Sequence, residues 1–408
     1  MSEGPLKGVR VVDLTHALSG PYATMLLADM GADVLKIESP AGDLARHAGP
    51  FHAEDSVRDF GGYFQSVNRG KRGIVLNLKT PEDVAVLRAL VADADVLVEN
   101  FSVGVMDRLG LSYESLSADN PRLIYAAVHG FGDARSGESP YLEWPAFDIV
   151  VQAMAGIMGI TGTEDGQPIK VGPGIGDIFP GTMLALGITS ALYETRGSGV
   201  GQFVDVAMYD AILALCERII FQNSYTGEVP HPQGNRHPLL SPFDVLPTVD
   251  GWVAIAAPSD GRWRTLCELM GRPDLAADES LATNALRVAR RYEIFDLLAD
   301  WTRDRTKAEV LEILGGHVPV GAVRDAAEII ADPHVAAREM VVHLEHPGVE
   351  HPLAVAGTPI KFSRTSTRPE RRAPMFDEHG AGIRDELKQN GSAFPPRVEP
   401  DPDPTKGP

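Results

Sequence analysis

The sequence predicts an α/β protein, with a doubly wound, Rossmann-like parallel sheet in a large domain and a smaller α+β domain beside it. Three observations predict it. Val9–Leu14 ("VRVVDL") and Ala32–Glu38 ("ADVLKIE") are β-rich runs flanking a helical stretch; a strand–helix–strand order within about thirty residues implies a parallel pair joined by a crossover. The same alternation recurs further along. Around residue 228 the chain then changes character, to a run rich in Pro, Gly and His.

In chain order, the loop "THALSGP" follows the first strand, and "YATMLLADMG" reads as a helix stopped at Gly31. Gly73–Leu78 is a strand, and Pro81–Ala94 a helix whose Pro81 suits the first turn. Val84, Leu87, Val91 and Ala94 form its apolar stripe. Asp95–Asn100 and Leu123–Val128 add strands. In such sheets ligands bind beyond the carboxyl ends of the strands, which points to "THALSGP", "ENFSVG" and "HGFGDARSG". From Asp177 to about Thr195 the pattern is helical, with Leu184, Ile188, Ala191 and Leu192 on one face. Gly201–Met208 reads as a strand and Tyr209–Asn223 as one long helix. "GEVPHPQGNRHPLLSPF" reads as a linker, and "GWVAIAA" opens an α+β segment running to about Val323. "HLEHPGVEHPLAVAGTPIKF" suggests β-hairpins, and residues 391–408 are expected to form a disordered tail.

Of the 408 residues 44% are apolar and the net charge is −19. That balance fits a globular core and argues against a nucleic-acid binder, which would carry a basic face, and against an anionic membrane surface. The N-terminal residues lack the apolar core of a signal peptide, and no uninterrupted apolar run reaches the ~18 residues of a membrane span; a cytoplasmic protein is expected. Cys216 and Cys267 sit in apolar helical stretches and read as buried thiols. No metal-ligand spacing is present, so no metal is expected.

The segment "VGPGIGDIFPG" (171–181) sets one carboxylate among glycines and prolines. It lacks the Gly-Lys-Ser/Thr of a phosphate loop and the third glycine of a dinucleotide fingerprint. Asp177 reads either as a helix N-cap or as chemistry, with Gly174, Gly176 and Gly181 leaving room for a substrate. His16, His129 and His237 occupy loops, as ligands or as ordinary hydrogen-bonding groups. Arg69, Lys71, Arg72 and Lys79, with Arg108, form either a solvated strand edge or a site for a phosphorylated ligand.

Taken together, "GVRVVDLTHALSGPYATMLLADMGADVLKIESP", "VNRGKRGIVLNLK", "DVLVENFSVGVMDRLG", "NPRLIYAAVHGFG", "FDIVVQAMAGIMGITG", "GDIFPGTMLALGI" and "GNRHPLLSPFDVLPTVDGWVAIA" resemble the class III coenzyme A transferases, nearly end to end. The resemblance implies an intertwined, ring-like homodimer. It implies a large domain built from 1–227 and a returning 326–390, with a small domain at 228–325. It implies that Asp177 attacks an acyl-CoA thioester, giving an aspartyl anhydride and then an aspartyl-CoA thioester, with CoA as substrate and no separate cofactor. It places CoA against Ala17, Leu18, Leu76, Lys79, Asn100, Phe101, Arg108 and Phe147, with Phe101 at the adenine and Lys79 and Arg108 at phosphate. Ser39 and Pro145 depart from basic residues found in the family, and Phe147 from a tyrosine. The partners implied are an acyl-CoA, succinyl-CoA or a similar donor, and a small carboxylic acid whose far carboxylate Arg46, His47, Arg236 or His237 would meet. Two rivals stand beside this: a 2-methylacyl-CoA racemase, which would need a His where Phe147 precedes Asp148, and a non-catalytic CoA-binding protein.

Overall fold

The structure, a computed structural model, describes residues 4–395. One compact unit holds the described residues up to Ile157, Lys170–Glu228 and those from His334 on; a second holds Met158–Ile169 and Val229–Pro333. The second unit therefore runs beyond residue 325 and takes in a short earlier segment.

The first unit is built on six parallel strands: β1 (Arg10–Asp13), β2 (Asp33–Glu38), β3 (Arg72–Val75), β4 (Val96–Glu99), β5 (Ile124–His129) and β6 (Phe203–Ala207). Their order is β3-β2-β1-β4-β5-β6, with Val12 opposite both Leu35 and Leu97. All residues of β1, β4 and β5 are buried, as a parallel sheet covered on both faces requires. Its helices are α1 (Ser19–Asp29), α2 (Leu44–His47), α3 (Gly62–Asn68), α4 (Pro81–Ala92), α5 (Val105–Arg108), α6 (Tyr113–Asp119), α7 (Asp148–Met154) and, after α8 (Ile157–Ile160), which falls in the second unit from Met158 on, α9 (Ile175–Ser198), α10 (Met208–Leu215) and α11 (Glu217–Thr226). Leu87, Leu90 and Val91 of α4 join Val12, Leu35 and Leu97 in the core.

The differences from expectation are local and have physical causes. Helix α1 begins three residues early, because Pro21 is tolerated in a first turn. Strand β3 stops at Val75, where the Asn77 and Thr80 backbones close a turn and Asp83 takes the Asn77 N–H. The stretch 209–223 is two helices, broken at Cys216. Helix α9 is long and apolar enough to cross a membrane, but it packs against α1, α7, α10, β5 and β6 with Pro180, Gly181, Leu184 and Ile188 buried. The expected tail is ordered as far as Pro395. Phe394 is buried under the Arg10 and Arg72 guanidiniums, 5.7 and 5.9 Å from its ring, and Arg72 donates to the Ala393 carbonyl. The rest of that expectation, 396–408, lies outside the described residues.

The second unit carries an antiparallel sheet of β7 (Phe243–Thr248), β8 (Gly251–Ala256) and β9 (Val320–Ala322), packed around Trp263, Leu266, Cys267, Ile294 and Leu298.

Candidate functional site

Strand order reverses at β1 and β4, so a crevice forms beyond their carboxyl ends. The loop after β1 is held there by buried charges. Asp13 accepts from Thr15 N (2.9 Å), Thr24 Oγ1 (2.7 Å) and Lys71 Nζ (2.9 Å). Lys36 Nζ donates to the Thr15 carbonyl (2.8 Å) and Asp43 Oδ2 (2.9 Å), and Asp43 Oδ1 accepts from Ala17 N (3.1 Å). Burial alone would raise Asp13 and Asp43, but the neighbouring lysines hold both below the ordinary carboxylate range. Burial pushes Lys71 down to about 8. Charges this buried persist only when paired and hydrogen-bonded. Together they fix Ala17 at φ +65, a conformation that a non-glycine residue keeps only when its surroundings over-determine it.

Beside this loop lies a cleft of about 440 Å³, lined by His16, Ser39, Leu76, Lys79, Phe101 and Leu109 among others. The His16 and Phe101 rings sit 5.4 Å apart. Burial lowers the His16 pKa, which favours the neutral ring. Lys79 is exposed at the cleft, and Arg108 is exposed on α5, whose Val105 also lines it. A larger hollow, about 600 Å³, opens at the other end of the sheet among Lys7, Arg10, Arg72 and Phe394. There Arg10 is paired with Asp93 and Arg72 with Asp33, and no strand presents its carboxyl end.

Helix α9 starts at Ile175, with Gly174 as its N-cap residue. Asp177 is therefore in the first turn and is not the cap. A Cβ on Gly174 would meet Leu18 Cδ2 at 3.0 Å, Asp177 Oδ2 at 3.7 Å and Asp148 Cγ at 4.0 Å. Leu18 and both carboxylates thus converge on one point. Burial, with the Asp148 charge beside it, raises Asp177 from 3.8 to about 7. The helix dipole favours the anion, but desolvation and a like charge outweigh it here.

Several expected ligands are committed elsewhere. Arg46 is buried, bidentate to Glu38 (2.7 and 2.6 Å) and paired with Asp59 (2.8 Å); a distal carboxylate cannot reach its fork, and that reading is corrected. Arg236, in the second unit, pairs with Glu164 and Asp244 and lies over the Tyr292 and Phe295 rings, and His237 sits against Phe243. The cluster at 69–72 is not an anion site: Arg69 pairs with Asp29, Lys71 with Asp13 and Arg72 with Asp33. Asn100 spends its amide on the His16 backbone, accepting at 2.9 Å and donating at 2.8 Å, so it shapes the loop. Phe147 is 68% exposed and does not line the cleft. His129 is buried against Glu99 at 3.2 Å. His47 is exposed at the end of α2. The structure thus brings Leu76, Lys79 and Phe101 together in the cleft and Leu18 to Asp177.

Residues not singled out in the sequence also stand here. Asp148 and Gln152 face each other one turn apart on α7, a spacing readable in "FDIVVQA" once the helix is known. Tyr63 on α3 feels the Asp177 charge, though burial is the main cause that raises its hydroxyl to about 12. No local pattern pointed to it.

The family profile described as CoA-transferase family III matches residues 6–380. The succinyl-CoA:mesaconate CoA-transferase of Haloarcula hispanica is 49% identical over 383 residues, spanning 94% of this chain and 96% of the relative. The succinate–glutarate CoA-transferase of Agrobacterium fabrum is 40% identical over 394 residues, with the same coverage. The crystal structure of a CAIB/BAIF family protein from Brucella suis superposes with a TM-score of 0.84 at 38% identity, covering 95% of this chain and 100% of that one.

Proposed function

This chain belongs to CoA-transferase family III, and from that premise we propose that it moves coenzyme A from succinyl-CoA or a similar dicarboxyl-CoA to a second small carboxylic acid, with Asp177 as nucleophile. The observation that carries the reading is Asp177 itself. It is a half-buried carboxylate raised toward neutrality, in a first helical turn cleared by glycines, next to the loop that borders the cleft.

An Asp177 oxygen attacks the thioester carbonyl, the C–S bond breaks, and CoA thiolate leaves an aspartyl–acyl anhydride. The thiolate then attacks the aspartyl carbonyl; the anhydride C–O bond breaks and the donor acid departs as a carboxylate. The acceptor carboxylate attacks this aspartyl-CoA thioester and expels the thiolate again. The thiolate finally takes the acceptor's acyl carbon and regenerates the Asp177 carboxylate. Each step exchanges one anionic nucleophile for one anionic leaving group, so no proton or cofactor enters. One difficult transfer becomes several easier ones.

In this reading Leu76 and Phe101 receive the apolar parts of CoA, while Lys79 and Arg108 attract its phosphates. Lys79→Ala is expected to raise KM for the acyl-CoA about tenfold, the equivalent of ~1.4 kcal/mol, with little change in kcat. The loss should shrink as salt screens the charge; a salt-independent effect counts against a phosphate contact.

The protein is proposed to act in the cytoplasm as an intertwined homodimer. Helix α11 supports the assembly: it has no buried residue although it carries Ile220, Phe221 and Tyr225, and Leu186 and Tyr193 of α9 are exposed as well. A helix that leaves several large apolar side chains bare is a candidate for burial against a partner. Light scattering that returns the 43.8 kDa chain alone would remove the dimer. The test of function is a panel of acyl-CoA donors against carboxylic acids, read by mass spectrometry of the CoA products. Transfer from succinyl-CoA to a C4 or C5 diacid is expected. Exchange of the α-proton without transfer would mean a racemase.

A further inference from the structure

We propose that Asp148, clamped by Gln152, is a positioning residue that holds a like charge against Asp177, so that acylation of Asp177 relieves a repulsion built into the resting site. The inference rests on the reading of Asp177 as nucleophile and adds a second carboxylate and its holder.

The geometry is specific. Gln152 is fully buried. Its Nε2 donates to both Asp148 oxygens, at 2.8 and 2.9 Å, and its Oε1 accepts from Val171 N at 2.9 Å. Asp148 Oδ1 also accepts from Gly176 N at 2.7 Å, the residue immediately before Asp177. The Gln152 amide and the Asp148 carboxylate together therefore tie α7 to both ends of the glycine segment 171–176, Gln152 at Val171 and Asp148 at Gly176. Gly176 makes the close approach possible, since a Cβ there would lie 2.8 Å from the Asp148 carbonyl oxygen and 2.9 Å from Oδ1. Two N–H donors, Gln152 Nε2 and Gly176 N, make three hydrogen bonds to Asp148, which stabilise its charge, and among the described residues no N–H group donates to the Asp177 side chain. Of two adjacent carboxylates, one is thus solvated by the protein and the other is left exposed to its field.

Other titratable groups stand on the elements around α9. Tyr63 faces Asp177 from α3. On α1, Asp29 pairs with Arg69 and Tyr22 lies beside Gly181. On β5, His129 pairs with Glu99, and Tyr125 stacks on Phe203. On β6, Asp205 accepts from Asp133 N; on α10, Tyr209 and Asp210 line a separate hollow with Asp205. Besides burial, Asp148 is the charge that raises Asp177.

The consequence is chemical. A carboxylate of raised basicity is the better nucleophile, in the Brønsted sense. Conversion of Asp177 to an anhydride or thioester also removes its charge, which ends the repulsion. The covalent states therefore gain on the free carboxylate by the same interaction that disfavours the anion.

The experiment is carboxyl ¹³C NMR titration of the full-length protein, with the Asp177 signal assigned by its loss in Asp177→Asn, run beside the pH profile of kcat/KM. The wild-type midpoint is expected near neutrality. In Asp148→Asn, whose amide oxygen can still accept from Gly176 N and Gln152, the midpoint should fall by at least half a unit. The acid limb of kcat/KM should move with it, because protonated Asp177 cannot attack, and kcat on the alkaline plateau should drop several-fold. Gln152→Met, which frees Asp148 without removing its charge, should give a smaller shift in the same direction. A wild-type midpoint in the ordinary carboxylate range overturns the proposal whether or not any variant folds. So does a folded Asp148→Asn with unmoved midpoint and limb, the result expected of a purely structural residue. Turnover surviving in Asp177→Ala would instead sink the nucleophile reading and leave the titration result standing.

Discussion

Asp177→Ala is expected to remove CoA transfer by a factor on the order of 10⁴ or more, since loss of a covalent nucleophile leaves only binding and orientation behind. The fold should survive, because the Gly174 N-cap and the Asp148–Gly176 link do not use the Asp177 side chain. Wild-type protein incubated with acyl-CoA and hydroxylamine should lose activity with a modification mapped to Asp177. Residual turnover within tenfold of wild type, or no modification there, would end the covalent reading. The same residue carries a stability signature. Its folded pKa is raised from 3.8 to about 7, so the folded state binds its proton more tightly than the unfolded chain. The resulting stability is complete below about pH 3.8 and is lost as pH rises through about 7. Asp177→Asn, which keeps the shape and removes the charge, should therefore melt higher than wild type at pH 8 and equally at pH 4. A lower melting temperature at pH 8 would contradict the placement of the group in a desolvated site. An activity gained at the expense of stability is the usual bargain at such sites.

The second large effect is expected from Gly181→Ala. Helices α1 and α9 pack closely at that point, and a Cβ on Gly181 would lie 2.4 Å from the Ser19 carbonyl oxygen and 3.5 Å from Tyr22 Cβ. The obstacle is backbone, so it cannot rotate away; the helices must part. Overpacking of this kind costs about 1–3 kcal/mol, against ~1 kcal/mol gained by replacing Gly with Ala in a helix. A net loss of about 1 kcal/mol, and at most ~2 kcal/mol, is expected. The displacement would push the start of α1, with Ala17 and Leu18 ahead of it, off its seat against Gly174, so kcat should fall as well. Gly197→Ala is the control: it lies on the same helix, and a Cβ there meets nothing within 4 Å. It should be neutral or slightly stabilising. Equal behaviour of the two variants would show that the α1–α9 contact is not what Gly181 serves.

Much of the fold was legible because its signals are local. The apolar runs at 9–14, 32–38, 95–100 and 123–128 each became a buried parallel strand, and Pro81 began a helix. A period of two or 3.6 residues is written into a short stretch and needs no knowledge of its partners. The glycines before and after Asp177 were visible as clearance, but the expected occupant was a substrate, and at Gly176 and Gly181 the space is taken by the protein itself, by Asp148 and by the Ser19 carbonyl. The errors were equally consistent. Arg69, Lys71 and Arg72, basic and close in sequence, were open to an anion or to solvent, and Arg46 was set against a distal carboxylate, yet each is neutralised by a carboxylate within the fold, Arg69 by Asp29 and Lys71 by Asp13. Asp177 looked like a cap because the cap pattern and the first-turn pattern differ by three residues and share their composition.

By itself, the sequence determined the parallel α/β layer, the change of architecture near residue 228, the family to which the chain belongs, and Asp177 as the carboxylate to watch. The tertiary structure decided which charges are free and which are spent, that Lys79 reaches a cleft and Arg46 does not, and that Asp148 stands beside Asp177 under the hold of Gln152. The division follows from range. Backbone periodicity and glycine clearance are properties of a few adjacent residues. The state of a charge depends on desolvation and on partners brought from distant parts of the chain, and only folding sets those.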